Sequence, residues 1–97
     1  MIRRLLKQRR QRQISAKLAA IEELLKHLEE SDDSLYSGYS VIELIQRVEA
    51  AKSKLQSADL TASRDLWPLL VPTGPLQETA IDNGWADQFL VIANRLD

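Results

Sequence analysis

The sequence predicts an all-α protein: a small single-domain bundle of four to five helices with a long, protruding N-terminal helix. Apolar residues recur at helical spacing in several segments, and turns containing glycine or proline separate these segments. No segment alternates apolar and polar residues as a half-buried strand would. The 97 residues suffice for one domain, and a 44% hydrophobic and 28% charged composition is that of a folded protein.

The first helix carries an apolar face only along its second half. That face consists of residues spaced alternately four and three apart, namely Ile14, Leu18, Ile21, Leu25 and Leu28. Upstream the same face is polar, although the residue types still favour helix back to about Ile2. We therefore expect residues 1–13 to form a basic helical arm and residues 14–97 a single helical domain.

A polar loop and a second helix follow. Residues 31–39 are rich in Ser, Asp and Gly, which favour turns over helix. Ser40 and Glu43 have the spacing of a capping box, in which the serine side chain accepts from a free amide at the helix start. The second helix is therefore expected from Ser40 to about Ser57.

The segment from Thr61 to Leu70 is a weaker helix prediction, with Thr61 or Ser63 as its cap. Proline removes an amide donor, so Pro68 fits only in a first turn or in a short or broken helix. Residues 71–75 predict a rigid turn in which Gly74 adopts an unusual backbone angle. Pro75 then begins the next helix.

The helix that begins at Pro75 has start and stop signals of its own. Gln77 is a candidate capping partner at its start, and Asn83-Gly84 is a typical helix stop. We expect Gly84 at positive φ, so that Trp85 folds back on the preceding helix. A last helix is predicted from about Ala86 to Leu96.

The helical spacing also predicts a core. Ten residues are expected to be buried in one cluster: Leu18, Ile21, Leu25, Leu44, Ile45, Val48, Trp67, Trp85, Phe89 and Ile92.

A formal net charge of −1 conceals a strong asymmetry. Six of the 13 basic residues and none of the 14 acidic ones lie within residues 1–12, so that segment carries +6 and the remainder −7. The candidate partner-binding residues are the six bases Arg3, Arg4, Lys7, Arg9, Arg10 and Arg12, together with Tyr36 and Tyr39 in the polar loop. The arm fits nucleic-acid phosphates, an acidic membrane surface, an acidic patch of another subunit, or a solvated extension that aids solubility.

Most kinds of chemical site lack their residues. No cysteine and a single histidine, His27, exclude thiolate and multi-histidine metal sites within one chain. The acidic cluster of Glu29, Glu30, Asp32 and Asp33 lacks the spacing of a calcium loop, and Thr73-Gly74 lacks that of a phosphate loop. No glycine pattern of a nucleophile elbow surrounds a serine that could use His27 as base. We expect no enzymatic activity, no cofactor and no metal.

The sequence shows neither a secretory signal nor an apolar run near the ~18 residues of a membrane span. The absence of cysteine agrees with a reducing compartment. A cytoplasmic location is therefore expected.

The last third of the chain resembles a known group of sequences. The run from Trp67 to Glu78 with its Pro72-Thr73-Gly74 turn, followed by Gly84-Trp85 and Phe89-Leu90, resembles small uncharacterised bacterial helical proteins, a domain of unknown function. Their signature is Pro-Thr-Gly, then Leu-Gln, then Gly-Trp. The resemblance implies bacterial origin and a compact helical fold, and it implies no site residue.

Two function classes remain. The first is a small non-enzymatic interaction or regulatory protein, for example of the inhibitor or immunity type, because charge segregation favours fast and selective association. The alternative is a nucleic-acid-associated protein that uses the basic arm. We also hypothesise a homodimer in which two N-terminal helices lie antiparallel, with each basic end beside the other's acidic end. The apolar seam from Ile14 to Leu28 is only about two heptads long, so charge pairing would have to assist it. A heterologous acidic partner on the arm is the competing hypothesis.

Overall fold

The computed structural model describes the backbone of residues 2–97 and the side chains of residues 4–97. Five helices occupy this range: α1 (Ile2–Glu29), α2 (Val41–Gln56), α3 (Ala62–Leu70), α4 (Pro75–Asp82) and α5 (Ala86–Leu96). Residues 2–97 contain no strand. The predicted all-α bundle with a long N-terminal helix is confirmed, and each helix begins and ends close to its predicted bounds.

The second half of α1 is the centre of the bundle. It packs against both α2 and α5, while α2 contacts α3, α3 contacts α4 and α4 contacts α5. The first half of α1 extends beyond the body, and all described side chains from residue 4 to residue 13 are exposed. The molecule therefore measures 51 × 22 × 20 Å, most of the long dimension being α1, which is about 42 Å at 1.5 Å per residue.

One apolar cluster joins all five helices. Its largest fully buried side chains are Phe89, Ile21, Leu24, Leu28, Leu44, Leu55, Leu66, Leu69, Leu76, Val48 and Thr79. Of the ten predicted core residues seven are buried, and Leu18 and Ile45 are partly buried against the cluster. The exception is Trp67, which is 58% exposed. The buried face of α3 contains Ala62, Leu66 and Leu69, and Trp67 lies one residue, about 100°, away from it.

The end of α4 is formed as the Asn83-Gly84 pair predicts. Gly84 has φ +81°, the Trp85 amide donates to the Ala80 carbonyl at 2.9 Å, and the Gly84 amide donates to the Ile81 carbonyl. These two bonds are the Schellman pattern, which satisfies carbonyls left free at a helix end. They reverse the chain so that Trp85 is buried.

The same pattern ends α2 without a glycine. Ala58 has φ +61°, and the Asp59 amide donates to the Lys54 carbonyl at 2.8 Å. A β-carbon in this left-handed region is strained, so Ala58 lowers stability where glycine would not.

Two acids order the turn between α2 and α3. The carboxylate of Asp59 accepts from the Thr61 hydroxyl at 2.6 Å and from its amide at 3.0 Å, and these bonds lower the pKa of Asp59. Asp65 accepts from Lys54, and this bond raises the pKa of Lys54. The Asp59 contribution to stability is therefore present above the usual carboxyl pKa and lost as pH falls through its lowered value.

The turn before α4 departs from its prediction. Gly74 has an extended backbone with φ −80°, and the residue at positive φ is Thr73, at +59°. Glycine is required at position 74 for space, because a β-carbon there would lie 2.7 Å from the Val71 carbonyl oxygen. Gln77, the candidate capping partner, accepts through its side-chain oxygen from the Thr73 amide at 2.6 Å, one residue before the N-cap Gly74, and so holds this turn against the start of α4.

Replacing Leu25 with alanine is expected to destabilise the fold by ~2–5 kcal/mol, because Leu25 is 5% exposed and its loss leaves a cavity. Leu5→Ala is the matched control on the same helix, since Leu5 is 60% exposed and should cost under about 0.5 kcal/mol. Urea unfolding followed by circular dichroism measures both. Equal midpoints for Leu25→Ala and the wild type would contradict the core assignment.

The two helix ends at positive φ predict substitutions of opposite sign. Gly84→Ala should destabilise by about 1 kcal/mol, and Ala58→Gly should stabilise by up to about 1 kcal/mol. At Gly84 a steric clash would not explain the loss of stability, because an added β-carbon would meet no atom within 4 Å. Thermal melts of both variants check this pair, and a shift of the same sign in both would refute the backbone explanation.

Candidate functional site

The basic arm is attached firmly at its base and exposed beyond it. The Lys17 ammonium donates to the Ser63 hydroxyl at 3.0 Å and to the Leu96 carbonyl at 3.1 Å, joining α1 to α3 and to the end of α5. Five of the six predicted basic residues, Arg4, Lys7, Arg9, Arg10 and Arg12, have exposed side chains. Arg3 has its side chain outside the described residues. The arm therefore presents charge to solvent, together with Leu5 and Leu6.

The polar loop between α1 and α2 is held by two buried serines. The Ser34 hydroxyl donates to Asp82 of α4, and the Ser37 hydroxyl lies 3.2 Å from the Ser34 carbonyl and 2.5 Å from the Tyr39 carbonyl. Between these two anchors, Leu35 and Tyr36 are 95% and 76% exposed. Two large side chains thus project from a loop whose backbone is fixed by its own hydrogen bonds.

The two predicted loop tyrosines have different environments. Tyr39 is partly buried against the core, and the Arg47 guanidinium lies 4.9 Å from the centre of its ring, a cation–π contact. Tyr36 is free of such packing and projects outward. Of this pair, Tyr36 is therefore open to solvent, whereas Tyr39 packs beside the start of α2.

Two side chains join the end of α4 to the loop that follows α1. Asn83 accepts from the Asp32 amide at 2.8 Å and donates to the Asp32 carbonyl at 2.9 Å. The Trp85 indole donates to the Ser31 hydroxyl at 2.8 Å, and that hydroxyl donates to the His27 carbonyl at 2.7 Å. These bonds fix the loop against the bundle.

His27 has a packing role. Its ring stacks on Trp85 with 4.8 Å between ring centres and 10° between planes. The nearby Ser31 hydroxyl gives its proton to a backbone carbonyl, so the pair lacks the serine-to-imidazole bond of an activated nucleophile. The arrangement suits a structural contact between α1 and α5.

An acidic end lies at this junction, opposite to the arm. We define it as Glu29, Glu30, Asp32, Asp33 and Asp82, which are all exposed. Asp33 accepts from the Val41 amide at 2.7 Å, and Ser40 accepts from the Glu43 amide at 3.1 Å, so both cap α2. Within the described residues, no three His, Asp or Glu side chains are grouped so as to hold a metal ion.

An apolar groove, not predicted from the sequence, lies between α3 and α5. Its volume is about 620 Å³, and its walls include Trp67, Leu70, Val71, Phe89 and Leu90. Phe89 is buried at its base, whereas Trp67 and Leu90 are more than half exposed at its rim. Arg64, Asn94 and Asp97 supply polar groups at its edges. Grooves with an apolar floor and a few polar groups at the edge are typical of binding sites.

The helical pattern itself contains a signal for this groove. Trp67 lies off the buried face of α3, and Leu90 and Val91 lie between the buried Phe89 and Ile92 of α5. Large apolar residues beside a helix's core face indicate a second apolar face. Sequence reasoning that assigns tryptophan to the core by residue type misses it.

Comparison with models of known protein families, with curated proteins and with solved structures gives no match for this chain. The resemblance of residues 67–97 to small bacterial proteins therefore stays a prediction. None of the helices described is both long enough and apolar enough to cross a bilayer.

The two tryptophans are expected to differ in solvent access, because Trp67 is 58% and Trp85 5% exposed. Trp85→Phe leaves Trp67 as the only indole, and Trp67→Phe leaves Trp85. The Trp67-only protein should emit at longer wavelength and be quenched more strongly by acrylamide. Equal quenching in the two variants, with unchanged circular dichroism, would contradict the groove geometry.

Proposed function

We propose that this chain is a small non-enzymatic interaction protein that binds a partner protein through the apolar groove. The observation that supports this is the exposure of Trp67 and Leu90 at the rim of a groove with a buried floor. Tryptophan is enriched among the residues that contribute most to protein binding energy. A preformed apolar groove also suits an amphipathic helix or an extended segment of a partner.

Rigidity of the binding surface supports the same proposal. The groove is built on two helices, and α5 is fixed at both ends, by Trp85 at its start and by Lys17 on its last carbonyl. A surface that is ordered before binding loses less conformational entropy when the partner arrives. An inhibitor or immunity-type role is one form of this function.

A nucleic-acid-associated function is the second candidate, favoured by the five exposed bases of the arm. Against it, residues 13–97 carry a net charge of −7, which repels a polyanion, and the arm has no aromatic residue for base stacking. The two candidates use different residues, so one set of variants separates them.

The test begins with a photoreactive phenylalanine analogue at position 67 in cells that express the chain, with position 42 as the exposed control on α2. A protein cross-linked at 67 and not at 42 is then purified and titrated. We expect Trp67→Ala to weaken binding by more than about tenfold and Ile42→Ala to leave it unchanged, because binding energy is concentrated in a few residues.

Two results would overturn the proposal. One is equal loss of affinity for Trp67→Ala and Ile42→Ala. The other is binding to a nucleic-acid duplex that depends on the arm and falls steeply with salt, with a slope of about −0.9 per phosphate contact, while no protein is captured at position 67.

A further inference from the structure

The longest helix of the chain carries unfavourable charge at both ends. A helix N-terminus is partially positive and its C-terminus partially negative. The first turn of α1 contains no acid and the arm is entirely basic, whereas Glu29 and Glu30 lie at the other end, beyond the favourable Lys26 and His27. The three ion pairs among the described side chains involve neither the arm nor the acidic end. No ion pair among the described side chains therefore offsets the charge of the arm or of the acidic end.

The arm also lacks the packing that helices need. Leu5 and Leu6 are 60% and 58% exposed, and isolated helical segments of this length are marginal in water. A surface that covers these leucines and pairs the bases would stabilise the arm. It must be acidic and must offer apolar side chains.

The acidic end has both properties. Its five carboxylates border the loop from which Leu35 and Tyr36 project. This loop is held in place by Ser34 and Ser37, so the two side chains are presented without a large ordering cost. The arm and the acidic end of one chain are thus complementary to each other in charge and in apolar content.

The arm cannot reach the acidic end of its own chain, because α1 is a rigid helix about 42 Å long with the arm at its start and the acidic end around its C-terminus. A second copy placed antiparallel brings both pairs together at once, by a two-fold axis near the middle of α1. Exposed side chains around that point, Ser15, Ala16 and Ala19, are small and permit close approach of two helices.

We infer that two copies of the chain associate antiparallel along α1, with the arm of each copy on the acidic end of the other. Leu5 of one copy lies against Leu35 and Tyr36 of the other. Leu5 lies on the same side of α1 as the exposed Glu23, eighteen residues further on, whereas Leu6 lies on the side of the buried Leu24. The contact uses the exposed side of α1 and not the expected seam from Ile14 to Leu28, because Ile21, Leu25 and Leu28 are buried within each chain. This surface is distinct from the apolar groove, so the inference stands or falls independently of the proposed function.

A charge exchange tests the pairing. The acidic-arm variant carries Lys7→Glu, Arg9→Glu, Arg10→Glu and Arg12→Glu, and the basic-end variant carries Glu29→Lys, Glu30→Lys and Asp32→Lys. Asp33 and Asp82 are retained because they accept hydrogen bonds that hold the loop and α2. Lysine, arginine and glutamate have similar helix propensities, so neither variant is expected to unfold α1, and circular dichroism of each variant checks this.

Sedimentation equilibrium gives the readout. The wild type should be a dimer in about 0.1 M salt whose dissociation constant rises at least about tenfold toward 1 M, because salt screens the charge pairs. Each variant alone should be monomeric, and an equimolar mixture should dimerise again, since every arm then meets an end of opposite charge. Glu49→Lys on α2 is the matched control for Glu30→Lys and should leave the dimer unchanged.

Cross-linking tests the orientation, because the chain has no cysteine of its own. Leu5→Cys and Glu30→Cys should form a disulfide when mixed, and neither should form one alone. A wild type that stays monomeric at low salt and high concentration overturns the inference. So does a dimer indifferent to both charge variants, a Leu5→Cys self-link, or a monomer that gains mass only with a nucleic-acid duplex.

Discussion

The structure depends on the burial of one face of α1 against both α2 and α5. Burial removes several large apolar side chains from water, each of which contributes about 1.5–3 kcal/mol. Because α5 is the last helix and α1 the first, this contact joins the last helix of the chain to the second half of the first. The intervening α3 and α4 are short, and each contacts its neighbours along the chain.

A second set of contacts makes that packing specific. Trp85 stacks on His27, donates to Ser31 and lies edge-on to Phe89, while Asn83 pairs with the backbone of Asp32. These groups follow directly from the turn at Gly84, which places Trp85 over the end of α1. One backbone angle therefore couples the stop of α4, the start of α5 and the conformation of the polar loop.

The sequence predicts the helices well because their signals are local. The spacing from Ile14 to Leu28, the cap at Ser40 and the stop at Gly84 each act within a few residues. The sequence predicts contacts between helices less well, because these depend on which face of each helix is covered by a neighbouring helix. Trp67 is a large apolar residue of the kind expected in the core. However, Leu66 and Leu69 form the buried face of α3, and Trp67 lies beside that face and is exposed to solvent. Gly74 has the residue type of a left-handed turn, yet crowding by the Val71 carbonyl is what requires it.

Some features of the candidate site could likewise be predicted from the sequence, and others could not. The exposed bases of the arm could be predicted, because nothing apolar accompanies them in the core pattern. The difference between Tyr36 and Tyr39 could not, since it depends on the distant Arg47 and on two serines that are buried only in the folded loop. The groove was missed for a related reason. It exists only after α3 and α5 are placed side by side, and its rim consists of large apolar side chains beside the buried face of each helix.

The charges near the two ends of α1 do not stabilise that helix by itself. A helix stabilised on its own would carry acids in its first turn and bases in its last turn. In α1 the first turn has no acid, and Glu29 is the last residue, although Lys26 and His27 precede it. The body tolerates this because apolar burial along residues 20–28 outweighs the end effects, which are screened and limited to one turn. The arm lacks that burial. An acidic surface that also covered its apolar side chains would stabilise both its helical state and its charge. The same excess charge that weakens the isolated helix therefore becomes favourable when a complementary surface is bound.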